Sequence, residues 1–248
     1  MKTVFVVWQD PEVRQWYPVG KLDYADKTYT FRYTKGAERS RHFMPFGRMK
    51  DLRKIYKSSE IFPVFGNRIL PKSRPEYSSY VNWLAITEEN DTPLEQLART
   101  GGIKRTDSLT IYPCPTMTND GHYEIYFFTN GLSHFRNEEV KRTEQLKIGD
   151  KLFFMYDVQN PHDPNAVAVR TNDPVTIVGY VPRYIAEDVA RLIDFSNEGT
   201  SLTVERVNRD APLQMRLLCK LRAPWPSGFS PCSQSEFEPL DSYAEASQ

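Results

Sequence analysis

No run of about eighteen consecutive apolar residues occurs in this chain, so it offers no membrane-spanning helix. The apolar start at Thr3–Trp8 is ended by Gln9 and Asp10 and has no small-residue cleavage site, which argues against a secretory leader. Cysteine is scarce. Cys114, Cys219 and Cys232 are too few and too widely spaced for a disulfide framework, and an odd count fits reduced thiols in a cytoplasmic protein. The four histidines and three cysteines never fall at ligand spacing, so no metal is expected. His122-Tyr123-Glu124 has the H-x-E of zinc deaminases, but no Pro-Cys-x-x-Cys follows. There is no G-x-S-x-G, no catalytic-loop His-x-Asp with a downstream Asn, and no phosphate-cradling glycine loop. Cys114 between two prolines lacks a nearby partner and reads as a structural thiol. The expectation is therefore a protein with no catalytic residues and no cofactor.

What is present is core-forming. Hydrophobic residues make up 40% of the chain and aromatics 13%, enough for packed cores. Eighteen prolines against twelve glycines suggest short, stiff connections, as in β-rich folds. A length of 248 residues fits one large or two small domains. The formal charge of zero hides a pattern. Residues 1–117 carry 19 basic and 13 acidic side chains, a net +6, whereas residues 118–208 carry 9 and 14, a net −5. The excess is densest between Lys35 and Lys57, where Arg39, Arg41, Arg48, Lys50, Arg53 and Lys54 form a candidate phosphate or acidic-partner patch. The ordinary alternative is a solvated loop and helix face.

Periodicity organises the chain into α+β structure, mostly β, in two small domains. Strands are expected at 3–8, 16–21 and 29–33, the last with Tyr29, Phe31 and Tyr33 on one face. A short basic helix is expected over 48–56. A second helix should start after Thr92-Pro93, bury Leu94, Leu97 and Ala98, and stop at Gly101-Gly102. A strand at 108–112 closes a first domain, 1–117, and the turn-rich 113–122 marks the boundary. The second domain, 118–222, should hold strands at 124–129, 151–156, 166–170, 176–181, 201–207 and 215–221. One helix led by Pro182 should bury Ile185, Val189, Leu192 and Ile193. This is the pattern of a small rolled barrel. The proline- and serine-rich stretch 223–248 has no Lys or Arg and reads as a disordered tail.

Two ordered motifs carry a resemblance. Asn160-Pro161-His162-Asp163-Pro164-Asn165-Ala166-Val167-Ala168-Val169 is followed ten residues later by Gly179-Tyr180-Val181-Pro182-Arg183 and an amphipathic helix. This resembles the HIRAN domain over about residues 122–208, with Gly131-Leu132-Ser133-His134-Phe135 where that family has its first binding segment. The resemblance implies an OB-like barrel that binds single-stranded DNA or DNA ends at a free 3′ hydroxyl. On it, His162 would stack on the terminal base and Asp163 would accept from the hydroxyl. Tyr180 and Arg183 would meet base and phosphate, His134 and Phe135 would supply an aromatic pair, and Asn160 would complete the DNA-binding set. The chain departs from the pattern at Ser133, where better-studied members have arginine, and at His134, where they have tyrosine. A net charge of −5 suits end capture and not the coating of a duplex. Asn160, Asp163 and Asn165 could equally be turn residues that bond their own backbone, and Arg183 a solvated helix residue.

The first half is similar to the N-terminal subdomain of HipA-type serine/threonine kinases. The resemblance rests on Val19-Gly20-Lys21-Leu22, on Tyr29–Tyr33, and on Pro63-Val64-Phe65-Gly66-Asn67-Arg68-Ile69-Leu70-Pro71, followed by the helix and glycine pair. No kinase core follows. What this implies is a kinase partner protein, bound and restrained as in a toxin-antitoxin or defence system.

Overall fold

The computed structural model describes residues 2–104, 106–160, 163 and 165–240. Among them it is mostly β, with five helices and two sheets. No described helix is long and apolar enough to cross a membrane.

The first unit comprises residues 1–77, 88–114 and 230–248. Its sheet is built from β1 (Lys2–Gln9), β2 (Trp16–Ala25), β3 (Thr28–Tyr33), β4 (Tyr56–Ser58) and β5 (Leu109–Pro113), in the order β4-β3-β2-β1-β5. Every pairing is antiparallel. The alternation of Tyr29, Phe31 and Tyr33 buries all three, as their period requires. The V-G-x-L of β2 has a packing reason: the ring of Phe31 lies where a Cβ on Gly20 would come within 2.5 Å of it. The short helix α1 (Pro63–Gly66) drops Phe65 into the same aromatic core, 5.3 Å from Phe31. The helix α2 (Tyr77–Trp83) follows in sequence but from Ser78 on belongs to the second unit. In α3 (Pro93–Thr100), Leu94, Leu97 and Ala98 are buried, Thr92 accepts from the Glu95 N–H, and Gly101 ends the helix at φ +69°.

The expected helix at 48–56 does not form. Tyr33 holds that segment open, its hydroxyl accepting from the Phe46 N–H at 2.6 Å and donating to the Met49 carbonyl at 2.8 Å. Phe43 and Met49 are buried there, and Tyr56 then pairs into the sheet. Core burial outweighs helix propensity over so short a stretch.

The second unit comprises residues 78–87 and 115–229. It contains β6 (His122–Phe128), α4 (Asn137–Gln145), β7 (Lys151–Tyr156), β8 (Val167–Arg170), β9 (Ile177–Tyr180), α5 (Arg183–Phe195), β10 (Ser201–Val207) and β11 (Leu217–Pro224). The sheet order is β6-β11-β10-β7-β8-β9, and it rolls into a half-barrel. Beyond β6, Asn130 and Tyr180 exchange two backbone hydrogen bonds, both 2.9 Å, which join the two ends of the sheet. The inner face of α5 fills the barrel with Ile185, Val189 and Leu192. Three such burials contribute roughly 5–9 kcal/mol before entropy is counted.

These units differ from the expected divisions at 117 and 222. Residues 78–87 leave the first half of the sequence to join the second unit, where Asn208 donates to the Trp83 carbonyl at 3.0 Å and Arg206 to Asn82 at 2.9 Å. Residues 223–240 are not a loose tail, and 241–248 lie outside the described residues. Trp225 and Phe229 pack on Tyr123, and Phe229 is buried. Farther on, Phe237 packs edge-on against Phe5 at 4.9 Å, Leu240 is buried, and Pro239 bridges to Thr34. Four apolar anchors, Trp225, Phe229, Phe237 and Leu240, offset the ordering cost that composition alone counted against the segment.

Asp188 lies buried on α5, and burial pushes its carboxyl up to about 6, with Arg191 opposing and Glu187 reinforcing the shift. In the unfolded chain the group titrates near 3.8. The folded state therefore holds the extra proton, and stability falls as pH rises from about 4 through about 6. Asp188→Asn is expected to raise stability by about 1–2 kcal/mol at pH 7.5 and much less at pH 4.5. Thermal melts at both values check this, and an equal gain at both would refute it.

Candidate nucleic-acid interface

The end of the half-barrel where β9 meets α5 collects most of the motif residues. Tyr180 ends β9 and is half-buried. Its ring lies edge-on to Phe135 at 6.0 Å. Phe135 is positioned by the turn Leu132–His134, entered through Gly131 at φ +89°. That glycine is needed twice: for its backbone, and because a Cβ would stand 3.2 Å from the Tyr180 ring. His134 and Ser133 are exposed at the same turn.

The loop after β7 is drawn together by a residue that sequence reading missed. Asp157 accepts from the Tyr180 hydroxyl at 2.9 Å and from the Asn160 amide at 3.1 Å. Those two hydrogen bonds hold its carboxyl below the usual range. Burial, and then Asp157, push the Tyr180 phenol up, so at neutral pH the hydroxyl is a donor. The only hint in the sequence was an acid placed directly after an aromatic-rich strand.

Asn160 and Asp163 act as turn residues. The Asp163 N–H donates to Asn160 Oδ1 at 3.1 Å, and the Asn165 N–H donates to Asp163 Oδ1 at 3.0 Å. The other Asp163 oxygen faces Arg183 Nε at 3.3 Å. Arg183 opens α5, is exposed, and stands where the helix dipole favours an anion. Phe135, Asn160, Asp163, Tyr180 and Arg183 thus form one site joined through Asp157. His162 lies outside the described residues.

The basic patch of the first unit is partly neutralised. Arg39 pairs with Glu236 at 3.5 Å and Arg53 with Glu38 at 3.0 Å, while Lys54 lies over the Tyr56 ring at 5.9 Å. Arg41 donates to His42 at 3.2 Å. Arg48 and Lys50 are exposed.

Comparison with known proteins agrees with the motif reading. A family profile described as the HIRAN domain matches residues 122–225. A crystal structure of a Lactobacillus plantarum protein is 21% identical, with 42% of this chain and 97% of that one covered and a TM-score of 0.31. The crystal structure of the HIRAN domain of human HLTF is 17% identical, with 43% and 84% covered and a TM-score of 0.30. No curated protein matches the chain. The profile match begins at residue 122, so the HipA-type resemblance of the first half, and the kinase partner it implies, rest on sequence motifs alone.

Proposed function

With a HIRAN domain at residues 122–225, we propose that this protein is a non-catalytic DNA-binding protein that captures the 3′ end of a single strand. The observation that carries the reading is the clustering at one end of the half-barrel. An aromatic pair, Phe135 and Tyr180, stands beside a carboxylate, Asp163, and a cation at a helix start, Arg183. A terminal base needs an aromatic face, its hydroxyl needs an acceptor, and its phosphate needs a cation. In the free protein Asp163 and Arg183 satisfy each other. An arriving end would insert between them, its hydroxyl donating to Asp163 and its phosphate taking over Arg183.

Fluorescence anisotropy with short strands bearing a free or a phosphorylated 3′ end tests this. The free hydroxyl is expected to bind about tenfold tighter, since a phosphate placed against Asp163 leaves the acid facing like charge. Arg183→Ala should weaken both forms by a similar factor and leave the melting temperature unchanged. Equal affinity for the two ends would remove end capture.

A further inference from the structure

The outer face of the half-barrel continues away from this site. Cross-strand register puts Met155, Ala168 and Tyr180 in one row across β7, β8 and β9, and Phe153 and Arg170 in the next. Residues directly opposite share a face, and successive rows on that face lie about 7 Å apart. The other face of β7 and β8 sends Leu152, Val167 and Val169 into the core, with Phe154 packed against them. Phe153 is therefore an aromatic turned away from the core. It is half-buried beneath two cations, with Lys151 Nζ 5.3 Å and Arg170 Cζ 5.1 Å from its ring centroid. β10 leaves β7 after two paired residues, Leu202↔Leu152 and Thr203↔Lys151. A groove of about 610 Å³ opens there, lined by Lys151, Phe153 and Arg170 together with Phe154, Tyr156 and Val167 from the other face and Asp194, Asn197 and Glu198 from the end of α5 and the turn after it.

We propose that Phe153, Lys151 and Arg170 form a second nucleotide subsite, one row and two strands from Tyr180, which takes a base and phosphate beyond the first two nucleotides of the captured end. The proposal rests on the end-capture reading. A ring framed by two cations matches what an extended single strand presents, a π-face and a phosphate in each repeat. A duplex cannot offer its stacked base faces to such a ring. Asp194 and Glu198, which line the same groove, repel phosphate and so keep the backbone beside Lys151 and Arg170.

The test uses the full chain with 5′-labelled oligothymidylates of two and six nucleotides, each with a free or a phosphorylated 3′ end. In the wild type the six-mer is expected to bind about tenfold tighter than the two-mer. Phe153→Ala, and Phe153→Leu which keeps the apolar volume, should remove that gain and leave two-mer binding and the free-end preference intact. Lys151→Gln and Arg170→Gln should each make the salt dependence of six-mer binding shallower by about 0.7 in log–log slope. Wild-type six-mer affinity in Phe153→Leu with the end preference intact would overturn this subsite alone. An equal loss on both lengths would overturn it as well, because a subsite acts only on the longer strand. A wild type blind to the 3′ end at both lengths would overturn the end-capture reading and this proposal with it.

Discussion

Gly179→Ala is expected to cost the second unit about 3 kcal/mol and to abolish end-selective binding. Gly179 sits in β9 at φ +139°, where L side chains are strained. A Cβ there would meet the Thr129 Cβ at 2.4 Å and the Asn130 carbonyl oxygen at 3.1 Å. This is the point where the two ends of the half-barrel are joined by the Asn130 and Tyr180 backbone pair. Pushing β9 away breaks that pair and carries Tyr180 off Phe135 and Asp157. One methyl group therefore damages fold and site together. Urea unfolding should show a clearly lowered midpoint, and the melting temperature should drop by upwards of about 10 °C. Adding Thr129→Gly removes the side-chain clash but neither the 3.1 Å approach to the Asn130 carbonyl oxygen nor the strained φ, so it should restore only part of the loss. A Gly179→Ala protein within 1 kcal/mol of the wild type would show that the closure is looser than these distances state.

In the first unit, Gly36→Ala is expected to be the most damaging small substitution, at no less than about 3 kcal/mol. A Cβ at Gly36 would stand 2.1 Å from the Pro18 carbonyl oxygen, and that atom belongs to the backbone of β2. The same turn is fixed to β2 by Thr34, whose N–H donates to the Val19 carbonyl at 3.2 Å and whose hydroxyl donates to the Pro18 carbonyl. A backbone atom in a central strand cannot rotate aside as a flexible side chain can. The turn must lift, taking the Lys35 contact to Glu238 and the Arg39 pair to Glu236 with it. Hydrogen exchange should report lost protection in β2 and along the segment after Ser230. Gly121→Asn is the control. Gly121 has φ +78° and open space around its Cβ position, and asparagine tolerates that backbone, so the cost should stay below about 1 kcal/mol.

Local order was legible in the sequence, and the join between distant segments was not. The alternation at Tyr29–Tyr33, the Thr92-Pro93 helix start and the inward residues of α5 all follow from period and capping, which act within a few residues. The motif at Asn160–Val169 likewise announced its turn, because asparagine and aspartate side chains bond the nearby backbone. α4 was missed because its polar face dominates and only Thr143 is buried. Arg39 and Arg53 counted as free cations until tertiary contacts brought Glu236 and Glu38 beside them.

By itself, then, the sequence determined the β-rich class, the main strands, the helix behind Pro182 and the turn residues of the Asn160–Val169 motif. Those properties depend on neighbours along the chain. Tertiary structure alone decided that residues 78–87 belong with the second unit and that residues 230–240 are anchored on the first. It also decided that Asp157 is the centre of the site and that Gly36 and Gly179 are the positions with no room. Each of these is a contact between backbone or side-chain atoms far apart in sequence, fixed by how a sheet rolls and closes, and no local period encodes that closure.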